Sequence, residues 1–403
     1  MPDRTHYYPP CLLLAILAFG CMCVQLRAVS FSDELLARAN GGNAEAQYQL
    51  GICYQDGLGI DSDKAAAALW YRQAAEQGHS GAQNNLGYCY FLGEGVDQDH
   101  KEAVRWFLLA ANQGLSSAQY SLALCYQNGT GAPKLFKEAY KWMAMAAENG
   151  HARAQFQIGV WIFLGQGVEQ DVKEGLKWIR LAANKDLPVA INYLADCYLK
   201  GSGVEANPAS AANWWKRGAS LGDAEAQFRL GQCYTEGLGV KTSLSEAEKY
   251  FTLAAGQNHA PAAYALYLLQ RDAEAELNSA SPALHWLRQA ADLGQPEAQF
   301  ELAKLFAAGQ VLPQDHIQAA DWFHRAAVQG HPTAQYELGI CYAFGKGVPE
   351  NATESLFWLS LAVSDGDPDA SRARDLVASE LSAAELESVL SRIEAWLQQL
   401  PQR

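Results

Sequence analysis

Residues 82–107 decide the fold: Ala82-Gln83-Asn84-Asn85-Leu86-Gly87-Tyr88-Cys89-Tyr90, then Gly93-Glu94-Gly95-Val96, then Ala103-Val104-Arg105-Trp106-Phe107. What matters about the stretch is that it returns. Ala-Gln stands at Ala46-Gln47, Ala82-Gln83, Ala118-Gln119 and Ala154-Gln155, and Ala190, Ala226, Ala262, Ala298, Ala334 and Ala370 continue the 36-residue register without insertion or deletion. An aliphatic residue follows each Ala by four positions (Leu50, Leu86, Leu122, Ile158 and onward), usually with Gly next and Tyr three further on. Gly-x-Gly comes next in most units, and then Trp at Trp70, Trp106, Trp142, Trp178, Trp214, Trp286, Trp322 and Trp358, with Tyr250 in the remaining place. A fixed period of this length marks a repeat architecture in which each unit is one supersecondary element.

The pattern reads as a helical hairpin. Small and apolar residues at offsets 0, 4, 5 and 8 lie on one face of a 3.6-residue helix, so Ala46, Leu50, Gly51 and Tyr54 form a stripe. Gly in a helix interior costs about 1 kcal/mol relative to Ala, so its recurrence implies a neighbour that needs the space. Gly-x-Gly ends the first helix, because Gly accepts the left-handed conformation of a C-cap. Ala103, Trp106, Phe107 and Ala110 define the buried face of the second helix, with Trp as its bulk. One hairpin cannot bury both faces, whereas stacked copies share a continuous core. The fold expected is therefore all-α: a right-handed α-solenoid superhelix of nine 36-residue helix-turn-helix repeats with a C-terminal capping helix.

These motifs resemble the Sel-1-like repeat, a relative of the tetratricopeptide repeat, over residues 44–369. The resemblance implies solenoids that hold protein partners or bridge complexes, often secreted or membrane-associated; it implies no particular ligand. Two units depart from the pattern. Repeat seven reads Arg271-Asp272-Ala273-Glu274-Ala275-Glu276 where Gly-x-Gly is expected and has Tyr267 at its mid-helix Gly position, which predicts a longer or straighter first helix. Repeat eight keeps only Gly309, making 262–333 a candidate joint.

The ends differ from the repeats. Residues 1–30 read as a signal peptide, with an apolar run Cys11 to Val24 and small residues at Ala28-Val29-Ser30. That reading places the protein outside the cell, in the periplasm or in the secretory lumen. The alternatives are a short membrane anchor through residues 11–24, a lipoprotein signal at Cys21, or an uncleaved extension, and membrane association is expected only through this segment. Residues 31–45 are expected to supply an N-terminal helix or cap, 46–369 the nine repeats, and 370–403 the C-terminal capping helices. Ser382 and Glu385 have capping-box spacing, ahead of one apolar face made by Leu386, Val389, Leu390, Ile393, Trp396 and Leu397.

A formal charge of −14 and a pI near 5.1 argue against nucleic acid as a partner, because phosphate neutralisation needs clustered Lys and Arg. Six of nine Cys recur directly before Tyr (Cys53, Cys89, Cys125, Cys197, Cys233, Cys341), too far apart in packed helices to be bridged and without metal-ligand clustering. They read as small buried hydrophobes. His79, His151, His259 and His331 recur after the closing Gly or Asn of a unit and are expected to satisfy carbonyls at a helix C-terminus. No G-x-S-x-G, S-x-x-K, H-E-x-x-H or Walker loop occurs. No catalytic residue, metal site, cofactor or small-molecule substrate is therefore expected. Relatives in a cysteine-rich branch are associated with β-lactams, and an envelope hydrolase of that kind is the alternative reading.

Offsets 2, 6 and 9 of the first helix point away from the stripe. Offset 2 is aromatic in seven units, including Tyr48, Tyr120, Phe156, Phe228 and Phe300. Early units are apolar at offsets 6 and 9, where Ile52, Tyr88, Phe91, Leu124, Val160 and Phe163 are the candidate partner-binding residues for a peptide or protein on the concave surface.

Overall fold

The computed structural model describes residues 30–273, 277–363 and 368–399, so the expected signal segment, all but its last residue Ser30, lies outside the described residues. Every regular element among them is helical. After α1 (Asp33–Asn40), the first helices of the repeats are α2 (Ala44–Asp56), α4 (Ser80–Leu92), α6 (Ser116–Asn128), α8 (Ala152–Leu164), α10 (Pro188–Lys200), α12 (Ala224–Glu236), α14 (Ala260–Ala273), α16 (Pro296–Ala308) and α18 (Pro332–Ala343). Their partners are α3 (Lys64–Glu76), α5 (His100–Asn112), α7 (Phe136–Glu148), α9 (Val172–Asn184), α11 (Pro208–Ser220), α13 (Leu244–Ala255), α15 (Pro282–Asp292), α17 (His316–Val328) and α19 (Ala352–Ala362), followed by α20 (Pro368–Ala378) and α21 (Ala383–Gln399). The chain forms two compact units that divide between Trp214 and Trp215; within each, consecutive helices pack antiparallel on one another as an α-solenoid.

Each boundary has a local cause. Second helices start at Asp63, Asp99, Asp171 and Asp315, whose carboxylates accept from the exposed N–H groups of the first turn. First helices end on a left-handed Gly such as Gly93 (φ 74°), whose N–H donates to the Cys89 carbonyl. The second Gly of Gly-x-Gly has a separate duty: a Cβ on Gly95 would lie 2.0 Å from the Lys64 carbonyl oxygen at the start of the preceding repeat's second helix. The dipeptide therefore ends one helix and admits another backbone.

The mid-helix Gly makes room for a ring. A Cβ on Gly87 would stand 2.6 Å from the Phe107 ring, and Gly51 and Gly231 meet Tyr71 and Phe251 the same way at 2.5 Å. These rings belong to the residue after the periodic Trp, and that position, in Tyr71, Phe107, Met143, Ile179, Trp215, Phe251, Leu287, Phe323 and Leu359, is buried throughout. Trp is the shallower of the two, half-buried in most repeats. Trp106 packs against the core formed by α3 and α4, which ties its helix back to the preceding hairpin. The deepest bulk therefore lies one residue later than the sequence pattern suggested.

The Gln of each Ala-Gln is buried, and in five repeats it bridges three helices. Gln83 Nε2 donates to the Ala75 carbonyl at the end of α3 (3.1 Å), and its Oε1 accepts from Gln113 Nε2 just beyond α5 (2.7 Å). Gln47, Gln119, Gln227 and Gln299 repeat both bonds with Gln77, Asn149, Gln257 and Gln329 as donors. In repeat seven, α14 is the longest first helix at 14 residues, and Tyr267 at its mid-helix position is buried.

At the C-terminus the capping box forms: the Ser382 N–H donates to Glu385 Oε2 at 2.9 Å and the Glu385 N–H to Ser382 Oγ at 3.4 Å. Val389 is buried, with Leu386, Ile393 and Trp396 half-buried against the core of α17 to α19. Arg392 reaches across to Glu354 (2.9 Å) and over the Phe357 ring (4.7 Å). Leu390 and Leu397 do not join this face; they are 60% and 54% exposed, because a helix seated by Val389 and Trp396 turns them outward.

Two expectations follow. Gly87→Ala forces Phe107 to move and lowers stability by about 1–3 kcal/mol in denaturant titration, and adding Phe107→Met restores part of it, since repeat three holds Ala123 and Met143 at these positions. Gln119→Leu strands the buried Ala111 carbonyl and the Asn149 amide at a cost of about 1–3 kcal/mol. The double change Gln119→Leu with Asn149→Leu costs less than the sum of the single changes.

Candidate partner-binding face

The recurring histidines sit at helix N-termini, contrary to the expectation of C-terminal carbonyl contacts. His79 is the N-cap of α4: its Nδ1 accepts from the Ala82 N–H at 3.0 Å, and its Nε2 lies 3.0 Å from Glu45 Oε2. His259 repeats this with the Ala262 N–H and Glu225 (3.1 Å), while His151 and His331 cap α8 and α18. A ring nitrogen that accepts from the backbone is unprotonated, so the neutral ring presents its other N–H to the carboxylate. Each capping ring lies on the offset-2 aromatic of the preceding repeat: Tyr48 on His79, Tyr120 on His151, Phe228 on His259 and Phe300 on His331, with centroids 4.5–4.9 Å apart. Offset 2 thus belongs to the joint between repeats.

This register is a family's signature. The Sel1 repeat model matches residues 44–79, 80–115, 116–151, 152–187, 188–223, 224–259, 264–295, 296–331 and 332–367. The chain belongs to the Sel1 repeat family. Among solved structures it is similar to c5321, a protective antigen of uropathogenic Escherichia coli with this fold: the two are 28% identical over 92% of this chain and 90% of that one, with a TM-score of 0.55. A Sel1 repeat protein from Oxalobacter formigenes is 27% identical over 89% and 98% of the respective chains, with a TM-score of 0.47. A comparison with curated proteins gave no match.

The six candidate residues all lie on first helices of the Sel1 units before Trp214, and the structure separates them. Leu124 is core, 6% exposed. Tyr88 packs edge-on against Phe107 (5.1 Å) and its hydroxyl lies 2.6 Å from Ser121 Oγ. Ser121 already gives its one proton to the Ser117 carbonyl (3.0 Å), so the phenol donates and keeps its oxygen lone pairs for other donors. Ile52, Phe91, Val160 and Phe163 are half-buried; Phe91 leans on His100 (4.9 Å) and Phe163 stands edge-on to Tyr193 (5.7 Å). A second apolar row escaped the sequence reading: Leu109 on α5 (41% exposed) and Leu181 on α9 (46%), with half-buried Met145 on α7 between them in the register. Only the count of offsets on the second helix could have shown it, and there the Trp position held attention.

The six recurring thiols are reduced and buried. Burial holds the Cys89, Cys233 and Cys341 thiols up at about 11 and those of Cys125 and Cys197 at about 12, so they are protonated and unreactive at neutral pH. Among the described residues no three His, Cys, Asp or Glu converge as metal ligands, and no helix is long and apolar enough to cross a membrane.

Burial, with Arg153 and Lys185 close by, holds the His151 ring down at about 4, well below the ordinary 6.5. The unfolded chain takes up that proton below pH 6.5 and the folded chain only below about 4. This contribution is therefore complete above pH 6.5 and is lost as the pH falls through that window, by up to about 3 kcal/mol. His151→Asn keeps a side-chain cap, as Asn43 does for α2, and flattens the difference in urea stability between pH 7.5 and pH 4.5.

Proposed function

We propose that this Sel1 repeat protein is a non-catalytic scaffold that binds a protein partner along the first helices of repeats one to four, the concave surface of the stack, and that it works outside the cytoplasm after loss of residues 1–30. One observation carries the partner reading: α4 and α6 contain no charged residue and α8 only Arg153, although 18% of the chain is charged. A surface kept free of charge while its apolar side chains remain half-exposed has the character of the central part of a protein interface. Other first helices differ: α2 carries Glu45 and Asp56, α12 carries Glu225, Arg229 and Glu236, and α16 carries Glu297, Glu301 and Lys304. The localisation reading rests on the apolar run and small residues before Phe31.

Ile52→Gln, Phe91→Gln and Val160→Gln combined in one chain provide the test. The partner is first identified by in-cell cross-linking and mass spectrometry, and its affinity is then measured with purified proteins. The triple variant is expected to weaken binding at least tenfold, since a few central residues carry most of an interface's energy, with a melting temperature within a few degrees of the parent. Leu109→Gln with Leu181→Gln is the control and leaves binding unchanged. Loss of binding in the control with retention in the triple variant would move the interface to the second helices. N-terminal sequencing of the mature protein checks the cleavage.

A further inference from the structure

The last helix of the described residues, α21, covers the final repeat with one side and turns an unusual side outward. The terminal element of a solenoid ordinarily presents a polar outer face to water. Here Leu390 and Leu397 are 60% and 54% exposed, and Leu386 and Ile393 beside them are half-buried at the edge of the core of α17 to α19. Leu386, Leu390, Ile393 and Leu397 follow one another at spacings of four, three and four, the a and d register of a heptad. The row runs about 16 Å along the helix, three turns. Its outer flank is Glu387 and Glu394, both exposed and neither paired with a cation among the described residues. Its inner flank is Val389 and Trp396, which seat the helix on the body of the protein. Arg392, the one cation of α21, lies on the other side of that seat, held by Glu354 (2.9 Å) and the Phe357 ring.

We propose that this row docks an amphipathic helix of another protein, one with apolar residues at heptad spacing and Lys or Arg along the flank that meets Glu387 and Glu394. The surface is separate from the first helices of repeats one to four and does not depend on them. A helix fits because the row offers side chains at spacings of three and four, whereas an extended segment needs free backbone groups of a sheet edge, and α21 has none to give. The flank decides the charge: two unpaired carboxylates beside an apolar seam select a basic partner and reject an acidic one. The −14 charge of the whole chain steers the same choice at long range. A second copy of this chain does not fit. Two α21 helices laid antiparallel set Glu387 and Glu394 against the same residues of the other copy, and laid parallel they need Val389 and Trp396, which are already spent on their own core. An anionic lipid surface meets the same carboxylates, and the row lacks the flanking Lys and Arg by which interfacial helices hold such lipids.

Two synthetic peptides of about three heptads serve as probes, with the same Leu row and either Lys or Glu at every flanking position, so that like charges keep each from pairing with itself. Fluorescence anisotropy with the full chain is expected to show binding of the Lys peptide and none of the Glu peptide. Leu390→Glu with Leu397→Glu, both exposed and so without effect on the melting temperature, weakens the Lys peptide at least about tenfold. Glu387→Gln with Glu394→Gln weakens it about threefold to tenfold, and Glu387→Lys with Glu394→Lys transfers the preference to the Glu peptide. The Ile52, Phe91, Val160 triple variant binds the Lys peptide as the parent does, so failure of one surface leaves the other standing. Binding that survives the Leu390 and Leu397 changes reports only the field of an acidic chain and overturns the proposal, as does binding of neither peptide, equal binding of both, or loss in the triple variant. A dimer in analytical ultracentrifugation that the Leu390 and Leu397 changes dissociate makes a second copy the occupant. Co-sedimentation with vesicles of equal parts phosphatidylcholine and phosphatidylglycerol, lost in the same variant, makes it a lipid surface; either result overturns the proposal.

Discussion

In seven of the nine repeats a buried glutamine ties the first helix to the end of the helix before it. A helix stacked through small apolar residues can slide or rotate at little cost, since hydrophobic contact is non-directional. Gln83 removes that freedom: its amide donates backward to the Ala75 carbonyl and accepts from Gln113, so an error in register leaves a polar group buried and unpaired. The penalty for an orphaned buried partner exceeds the net gain from a satisfied bond. The row of amides therefore acts mainly against misaligned stacks.

The exceptions obey the same arithmetic. In repeat five the two ladder positions become Ile191 and Leu221 together, and in repeat seven Ala263 and Leu293 together. A single replacement would strand one amide, whereas a paired one removes both partners of the side-chain bond. Repeat four is the half-way case. Lys185 stands where Gln or Asn is needed and spends its ammonium on the Gly150 carbonyl, leaving Gln155 Oε1 buried without a partner. The ladder is weakest where the uncharged first helices end.

Much of this was legible because repetition turns one sequence into nine aligned ones. The period, the helix pair, the role of the mid-helix Gly and the Ser382 capping box could be read from spacing, since local backbone chemistry sets them. What spacing conceals is direction. Histidine after a closing Gly has the same sequence position whether it serves the helix behind or the helix ahead, and only the Ala82 N–H shows which. Leu390 and Leu397 belong to the apolar arc of α21 by periodicity, but the seat taken by Val389 and Trp396 decides which part of the arc is covered. Leu124 shares its offset with Ile52 and Tyr88 and yet is core, because how deeply an offset is buried varies from one repeat to the next.

That variation also separates scaffold from surface. Offsets 0, 1, 4, 5 and 7 are spent on the joint in nearly every repeat, and offset 2 joins them wherever a capping histidine follows. Residues that recur are therefore explained by stacking, and recurrence cannot identify a binding site. A site has to come from positions where repeats differ while the joint stays the same. The absence of every carboxylate from α4, α6 and α8 is a difference of that kind, since other first helices stack in the same way with Asp and Glu on them.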